Sequence, residues 1–209
     1  MNTIQSPIFA ISRHRFNIDG DGVVTLVTSY GCPLRCEYCL NQISWQKPKE
    51  ISWQTPEELY NEVKKDELYY ITTNGGITFG GGEPLLRANF IREFRKLCGP
   101  LWKIRVETSL CANRDVLELL VPVVDQWIID IKSMNPAVYC KYTHISPTPR
   151  DICLQYMVEH QLQDRCIIRI PAIPNFTTEA DQQRDKLELE EMGFTHFDLF
   201  NYKIPKHHE

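Results

Sequence analysis

Short apolar, β-branched runs alternate along this chain with longer stretches whose apolar residues recur at helical spacing. The runs "VVTLVTSY" (23–30), "GITF" (76–79), "WKIRVET" (102–108), "QWIIDIK" (126–132), "RCIIRIPAI" and "FTHFDLFNY" are predicted strands. Between them lie the predicted helices "TPEELYNEVKKDELYY", "RANFIREFRKLC", "NRDVLELLVPVV", two pieces near 135–141 and 149–161, and the acidic "TEADQQRDKLELEEM". The first of these has a complete start signal: Thr55 as N-cap, Pro56 at the first helical position and Glu58 three residues after the cap. Residues 1–22 read as an irregular segment. Six strands separated by helices, with no run of hairpins, predict a parallel sheet covered by helices. The sheet is either open and doubly wound or an incomplete barrel, and in both the chemistry belongs at the C-terminal strand ends.

Polar residues collect at those ends. A cysteine loop follows the first strand, Gly80, Gly81, Gly82 and Glu83 follow the second, and Glu107, Thr108 and Ser109 close the third. Asp130 and Lys132 close the fourth, and Arg169 lies near the end of the fifth. Taken singly, each is an ordinary strand-end cap or surface ion pair. Five successive strand ends converging on one mouth favour a site.

Composition narrows the class. A chain of 209 residues suits one domain, 1–209, and buries enough core to fold without disulfides. Hydrophobic content of 43% and charged content of 24% are those of a soluble globular protein. A net charge of -4 does not point to electrostatic nucleic-acid binding. The N-terminus lacks the pattern of a signal peptide, and no apolar run approaches the roughly 20 residues needed to cross a membrane. A cytoplasmic protein with no nucleic-acid or membrane partner is expected.

The densest chemistry is in "SYGCPLRCEYCLN" (29–41), where Cys32, Cys36 and Cys39 follow a C-x3-C-x2-C spacing. Structural zinc takes four ligands, usually in pairs, and no second set answers this one; His207 and His208 are adjacent in the C-terminal tail. A redox pair at Cys36 and Cys39 leaves Cys32 without a purpose. An iron–sulfur cluster held by three thiolates keeps one iron open to a small molecule, and the spacing favours this over zinc or redox use. The ring of Tyr38, directly before the last cysteine, is placed either to wall a planar ligand or to pack the loop. Cys98, Cys111, Cys140, Cys153 and Cys166 are scattered; the last three recur every thirteen residues, which reads as buried apolar positions rather than a second metal site.

The cysteine spacing, with its aromatic before the third thiol, resembles the radical S-adenosylmethionine superfamily. "FGGGEP" (79–84) is similar to that superfamily's GGE motif at Gly81, Gly82 and Glu83, and "VETS" and "DIK" fall where related proteins carry further cofactor-binding residues. More narrowly, "NIDGDGVVTLVTSYGCPLRCEYCLN" resembles glycyl-radical-enzyme activating enzymes, with Asp19, Gly20, Gly22, the cysteines and Asn41 matching. Leu40 and Lys203 stand where activases often carry histidine.

The resemblance implies that Cys32, Cys36 and Cys39 hold a [4Fe–4S] cluster whose free iron chelates S-adenosyl-L-methionine. It gives Gly81 and Gly82 close backbone approach, Glu83 the cofactor ammonium, and Lys132 and Arg169 its anionic or hydroxyl groups. Asp130 takes its ribose or a nearby cation, while Glu107, Thr108 and Ser109 share the mouth. The implied activity is reductive cleavage to a 5′-deoxyadenosyl radical, which takes hydrogen from a glycine of a partner glycyl-radical enzyme, with flavodoxin or ferredoxin as electron donor. Two other functions compete: a small-molecule radical enzyme of the 7-carboxy-7-deazaguanine synthase kind, and a zinc-stabilised binding module without catalysis. The DG-x-G turn and the context of "DIK" favour the activase, on an incomplete (β/α)6 TIM-like barrel of parallel strands.

Overall fold

The computed structural model describes residues 4–46 and 52–204. His207 and His208 lie outside them. In chain order the elements are β1 (Ser6–Phe16), β2 (Val23–Ser29), β3 (Trp53–Gln54), α1 (Pro56–Val63), α2 (Glu67–Thr73), β4 (Gly76–Gly81), α3 (Ala88–Cys98) and β5 (Lys103–Thr108). They continue with α4 (Asp115–Leu120), β6 (Gln126–Asp130), α5 (Pro136–Thr143), α6 (Thr148–Glu159), β7 (Cys166–Ala172), α7 (Glu179–Glu191) and β8 (Phe197–Asn201). All strands join one sheet in the order β3-β1-β2-β4-β5-β6-β7-β8. The six strands from β2 to β8 are parallel and follow one another in sequence order, as the βα alternation predicts. Among the described residues the two ends of the sheet are not paired with each other, so the barrel is incomplete.

Within the segment 1–22, expected to be irregular, the described residues 4–22 carry a strand. β1 pairs antiparallel with β2 from Ile8↔Ser29 to Phe16↔Val23, and two-residue β3 adds to its start. The register shifts between Ile8 and Ala10 and again between Ser12 and Arg15, and His14 has φ +57°. These irregularities break the two-residue alternation by which a strand is recognised.

One stretch expected as a helix is also divided. A 3-10 turn over Lys64–Asp66 separates α1 from α2. The buried Asp66 carboxylate there accepts from Arg13 Nε at 2.5 Å, which ties the helix pair to β1. The capping box at Thr55 forms as read, with Glu58 N donating to Thr55 Oγ1 and Thr55 N to Glu58 Oε2.

Alternation along the parallel strands separates two faces. Ile77, Phe79, Ile104, Val106, Trp127 and Ile129 join the main core with Phe90, Ile91 and Phe94 of α3 and Leu117 and Leu120 of α4. The intervening positions, Thr78, Arg105, Glu107, Asp130 and Arg169, are polar and face the interior of the part-barrel. At the N-terminal strand ends the loop 17–22 closes this interior: Thr78 Oγ1 donates to Asp19 O at 2.6 Å, and Arg105 donates to Asp21 O, Asn74 O and Gln126 Oε1. The opposite end is the site.

Candidate active site

The cysteine loop leaves β2 and is held on two sides by backbone groups. Gly31 N donates to Ser44 O at 2.8 Å, closing the loop on itself. Arg35 N and Glu37 N donate to Thr143 O and Tyr142 O, carbonyls at the end of α5 that no helical N–H reaches. The glycine turn after β4 lies against the loop's entry. Gly82 N donates to Ser29 O at 3.1 Å, Glu83 N to Gly31 O at 2.7 Å, and Asn41 Nδ2 to Gly81 O at 3.2 Å. Only glycine permits this contact: a Cβ on Gly82 would lie 2.1 Å from Gly31 O.

Cys32, Cys36 and Cys39 border one cavity of about 190 Å³ together with Gly81, Gly82, Glu107, Thr108, Ser109, Asp130, Lys132 and Arg169. The strand ends predicted to converge do so. Burial pushes the Cys32 thiol up to about 12, with Glu83 adding to the shift, and the Cys36 thiol up to about 11 against the pull of Lys132. Burial raises Cys39 as well. All three are therefore protonated near neutrality when nothing is bound, and a metal must displace those protons.

A rail of charge crosses the cavity from these thiols. Lys132 donates to Asp130. Burial opposes the Lys132 charge, but Asp130 and Cys36 outweigh it and hold the ammonium well above its ordinary range. Arg169 donates from Nη1 to Glu107 Oε1 at 2.7 Å and from Nε to Asp198 Oδ2 at 3.2 Å, with its guanidinium carbon 5.1 Å from the Phe200 ring centre. Burial raises Glu107 while Arg169 draws it back. Asp130 Oδ1 is buried and has no hydrogen-bond partner among the described residues. A buried acceptor of this kind is costly unless a ligand completes it.

Glu83 and Tyr38 have different surroundings from those expected, since neither borders the cavity. The Glu83 carboxylate is 1% exposed and already accepts four hydrogen bonds. Oε1 takes Leu85 N at 3.1 Å and Thr108 Oγ1 at 2.6 Å, and Oε2 takes Ser109 N at 3.0 Å and Ser109 Oγ at 2.7 Å. The β4–β5 ladder ends at Phe79↔Val106, two residues short of both strand ends, and Glu83 bridges the gap that opens there. The hydroxyls of Thr108 and Ser109 serve this bridge. Tyr38 packs edge-on against Tyr142 and Phe176, with ring centres 6.2 and 5.7 Å away, and accepts from Asn175 Nδ2.

The aromatic wall is instead Tyr142, Phe200 and Tyr202, with Leu34, Leu40 and Asn41 beside the thiols. Sequence reasoning missed the aromatics because a tyrosine on an amphipathic helix or a phenylalanine in a strand is indistinguishable from core. Cys140, Cys153 and Cys166 do not converge: the first is exposed on α5, while the buried Cys153 and Cys166 face Ala112 O and Leu162 O. Among the described residues, no three Cys, His, Asp or Glu side chains are grouped as ligands of a single metal ion.

The chain is similar to known proteins over most of its length. It is 32% identical over 187 residues to the pyruvate formate-lyase-activating enzyme of Listeria monocytogenes, covering 83% of this chain and 71% of that protein. It is 29% identical to the (2S)-3-sulfopropanediol dehydratase activating enzyme of Klebsiella oxytoca, covering 82% of this chain and 73% of the relative. Among solved structures, Streptococcus suis SuiB bound to S-adenosylmethionine superposes with a TM-score of 0.64 at 16% identity, over 87% of this chain and 41% of that one, a likeness of fold. The family model "Radical SAM superfamily" matches residues 26–183, from the strand that feeds the cysteine loop to the helix after β7, and the chain belongs to that superfamily.

Proposed function

We propose that this enzyme is a glycyl-radical-enzyme activase, using a [4Fe–4S] cluster at Cys32, Cys36 and Cys39 and S-adenosyl-L-methionine beside it. One observation carries the reading: the three thiols share a single cavity with Glu107, Asp130, Lys132 and Arg169, in a chain similar to named activating enzymes. The donor set fits the group. Thiolates are the ordinary ligands of iron–sulfur clusters, each binding its own iron, so they need not crowd around one ion.

Held by Cys32, Cys36 and Cys39, such a cluster would supply the one electron needed for reductive cleavage of S-adenosylmethionine, and the hydrogen abstracted would come from a glycine Cα of the partner. A flavodoxin or ferredoxin is the proposed electron source. The protein's part is placement. Gly81 and Gly82 bring bare backbone to the cavity, and Glu83 fixes Thr108 and Ser109 beside it. Lys132 and Arg169, already charged and held by carboxylates, present donors to anionic and hydroxyl groups. Asp130 Oδ1 offers an acceptor for a ribose hydroxyl or a cation. Tyr142, Phe200 and Tyr202 line the cavity and would restrict water in it. Leu40 leaves an apolar position at the rim, 65% exposed, for a partner's glycine loop to meet.

The test is isotopic. Reconstituted protein is mixed anaerobically with reductant, S-adenosylmethionine and a glycyl-radical enzyme from the same genome whose glycines carry deuterium at Cα. The reading predicts an organic radical signal on the partner and deuterium in the 5′-deoxyadenosine. Unlabelled 5′-deoxyadenosine with no radical on the partner would contradict it and favour a small-molecule substrate.

A further inference from the structure

The cysteine loop packs on a second, smaller core, three members of which (Leu34, Cys36 and Tyr142) also line the cavity. Leu34, Cys36, Cys111, Tyr139, Tyr142 and Ile173 form it, with Cys32 and Cys39 packed at its margin. Tyr139 is its least satisfied member. The residue is 1% exposed, and its hydroxyl has no hydrogen-bond partner among the described residues. Its ring lies against Arg150, whose guanidinium carbon is 4.6 Å from the ring centre. A buried, unpaired phenol is destabilising, and phenylalanine would fill the same space without that penalty. The side chains packed with Tyr139 in this core are Leu34, Cys36, Cys111, Tyr142 and Ile173. Two of these are thiols, and Cys36 is a proposed cluster ligand.

We propose that the Tyr139 hydroxyl donates a hydrogen bond to a sulfur of the iron–sulfur cluster at Cys36 and thereby tunes its reduction potential. Tyr139 is a positioning and tuning residue and touches no substrate. The physical reason is charge. Reduction adds an electron to a centre whose sulfurs already carry negative charge, and a donor aimed at sulfur stabilises the reduced form more than the oxidised one. In a dry, apolar surround such a bond acts at low effective dielectric, where its influence is large. The proposal rests on the cluster assignment made above.

Tyr139→Phe separates this role from packing. In the metal-free protein the substitution removes an unpaired polar group, so the melting temperature stays level or rises. In the reconstituted protein the ratio of reduced to oxidised cluster at a fixed potential is expected to fall about tenfold, a shift of about 59 mV to lower potential for one electron. Potentiometric titration followed by electron paramagnetic resonance reads this shift. The reduced wild-type cluster in deuterium oxide should also show an exchangeable deuteron coupling that is absent from Tyr139→Phe. An unchanged potential with full iron and sulfide content overturns the proposal. A lowered metal-free melting temperature with no change in potential or coupling assigns Tyr139 to packing instead. Wild-type protein that retains no iron or sulfide overturns the cluster assignment and this proposal together.

Discussion

The two ends of the part-barrel both hold cationic side chains, buried at one end and half-buried at the other, and they treat them in opposite ways. At the N-terminal strand ends, Arg105 is 2% exposed and is held by the fixed carbonyls of Asp21 and Asn74 and by the side chain of Gln126. The closing loop leaves no room: a Cβ on Gly20 would lie 2.3 Å from the Arg105 side chain. At the C-terminal ends, Arg169 and Lys132 are held by carboxylates that are themselves ionisable, and a cavity lies beside them. The floor uses its charge to close the fold. The mouth keeps its charge available to a ligand, and leaves Asp130 Oδ1 and three protonated thiols incomplete until one arrives.

The sharpest way to break this contrast is to exchange the readouts. Cys36→Ala at the mouth should abolish iron retention while leaving the metal-free melting temperature within a few degrees of wild type. Arg105→Met at the floor should leave iron per folded molecule intact but cost about 3 kcal/mol, because carbonyls buried with it lose their donors. Thermal melts and iron assays on the same samples decide the matter. Iron loss from Arg105→Met without loss of stability would show that floor and mouth are not separate.

Gly82→Ala should be the next most damaging change. Its Cβ would lie 2.1 Å from Gly31 O, so the glycine turn and the cysteine loop must move apart. The expected cost is about 3 kcal/mol with poor cluster retention, read by melting temperature and by absorbance after reconstitution.

Glu83→Gln tests whether that residue supports the mouth or contacts the cofactor. A carboxamide cannot accept all four of the bonds it replaces, so support predicts a loss of about 2 kcal/mol in the metal-free protein. An unchanged melting temperature combined with weakened S-adenosylmethionine binding would instead make Glu83 a direct ligand.

The smallest effect is that of pH. Burial raises the Cys32, Cys36 and Cys39 thiols above their ordinary value of 9.0, so the folded state holds those protons more tightly than the unfolded one. Their contribution to stability is therefore present below pH 9 and lost as pH rises toward 12. Metal-free wild type should lose melting temperature above about pH 9 more steeply than the Cys32→Ala, Cys36→Ala, Cys39→Ala triple variant. Parallel curves would contradict the assignment of this slope to the mouth.

The parallel part of the fold was legible because its strands are short apolar, β-branched runs, with polar residues at alternate positions in "WKIRVET", separated by longer stretches of helical spacing. β1 was not, because its bulges and the polar run from Ser12 to Arg15 erase the alternation of an edge strand. Most of the mouth was legible for a related reason: parallel topology turns the end of each strand into a site position, so Glu107, Asp130, Lys132 and Arg169 could be placed by counting strands. Side-chain direction was not available by that route. Glu83 turns away from the cavity because three donors at the parted end of β5 and Leu85 N in the turn after Glu83 all need an acceptor. Tyr38 turns away because Tyr142 and Phe176 give its ring a better contact.

The central claim is that the three thiols and the charge rail act as one radical cofactor site. The most direct measurement is anaerobic: reconstitute with iron and sulfide, add dithionite and S-adenosylmethionine, and quantify 5′-deoxyadenosine for wild type and Cys36→Ala. The account predicts product from wild type and none above background from the variant. A wild-type protein that is colourless, retains zinc and makes no 5′-deoxyadenosine would contradict it.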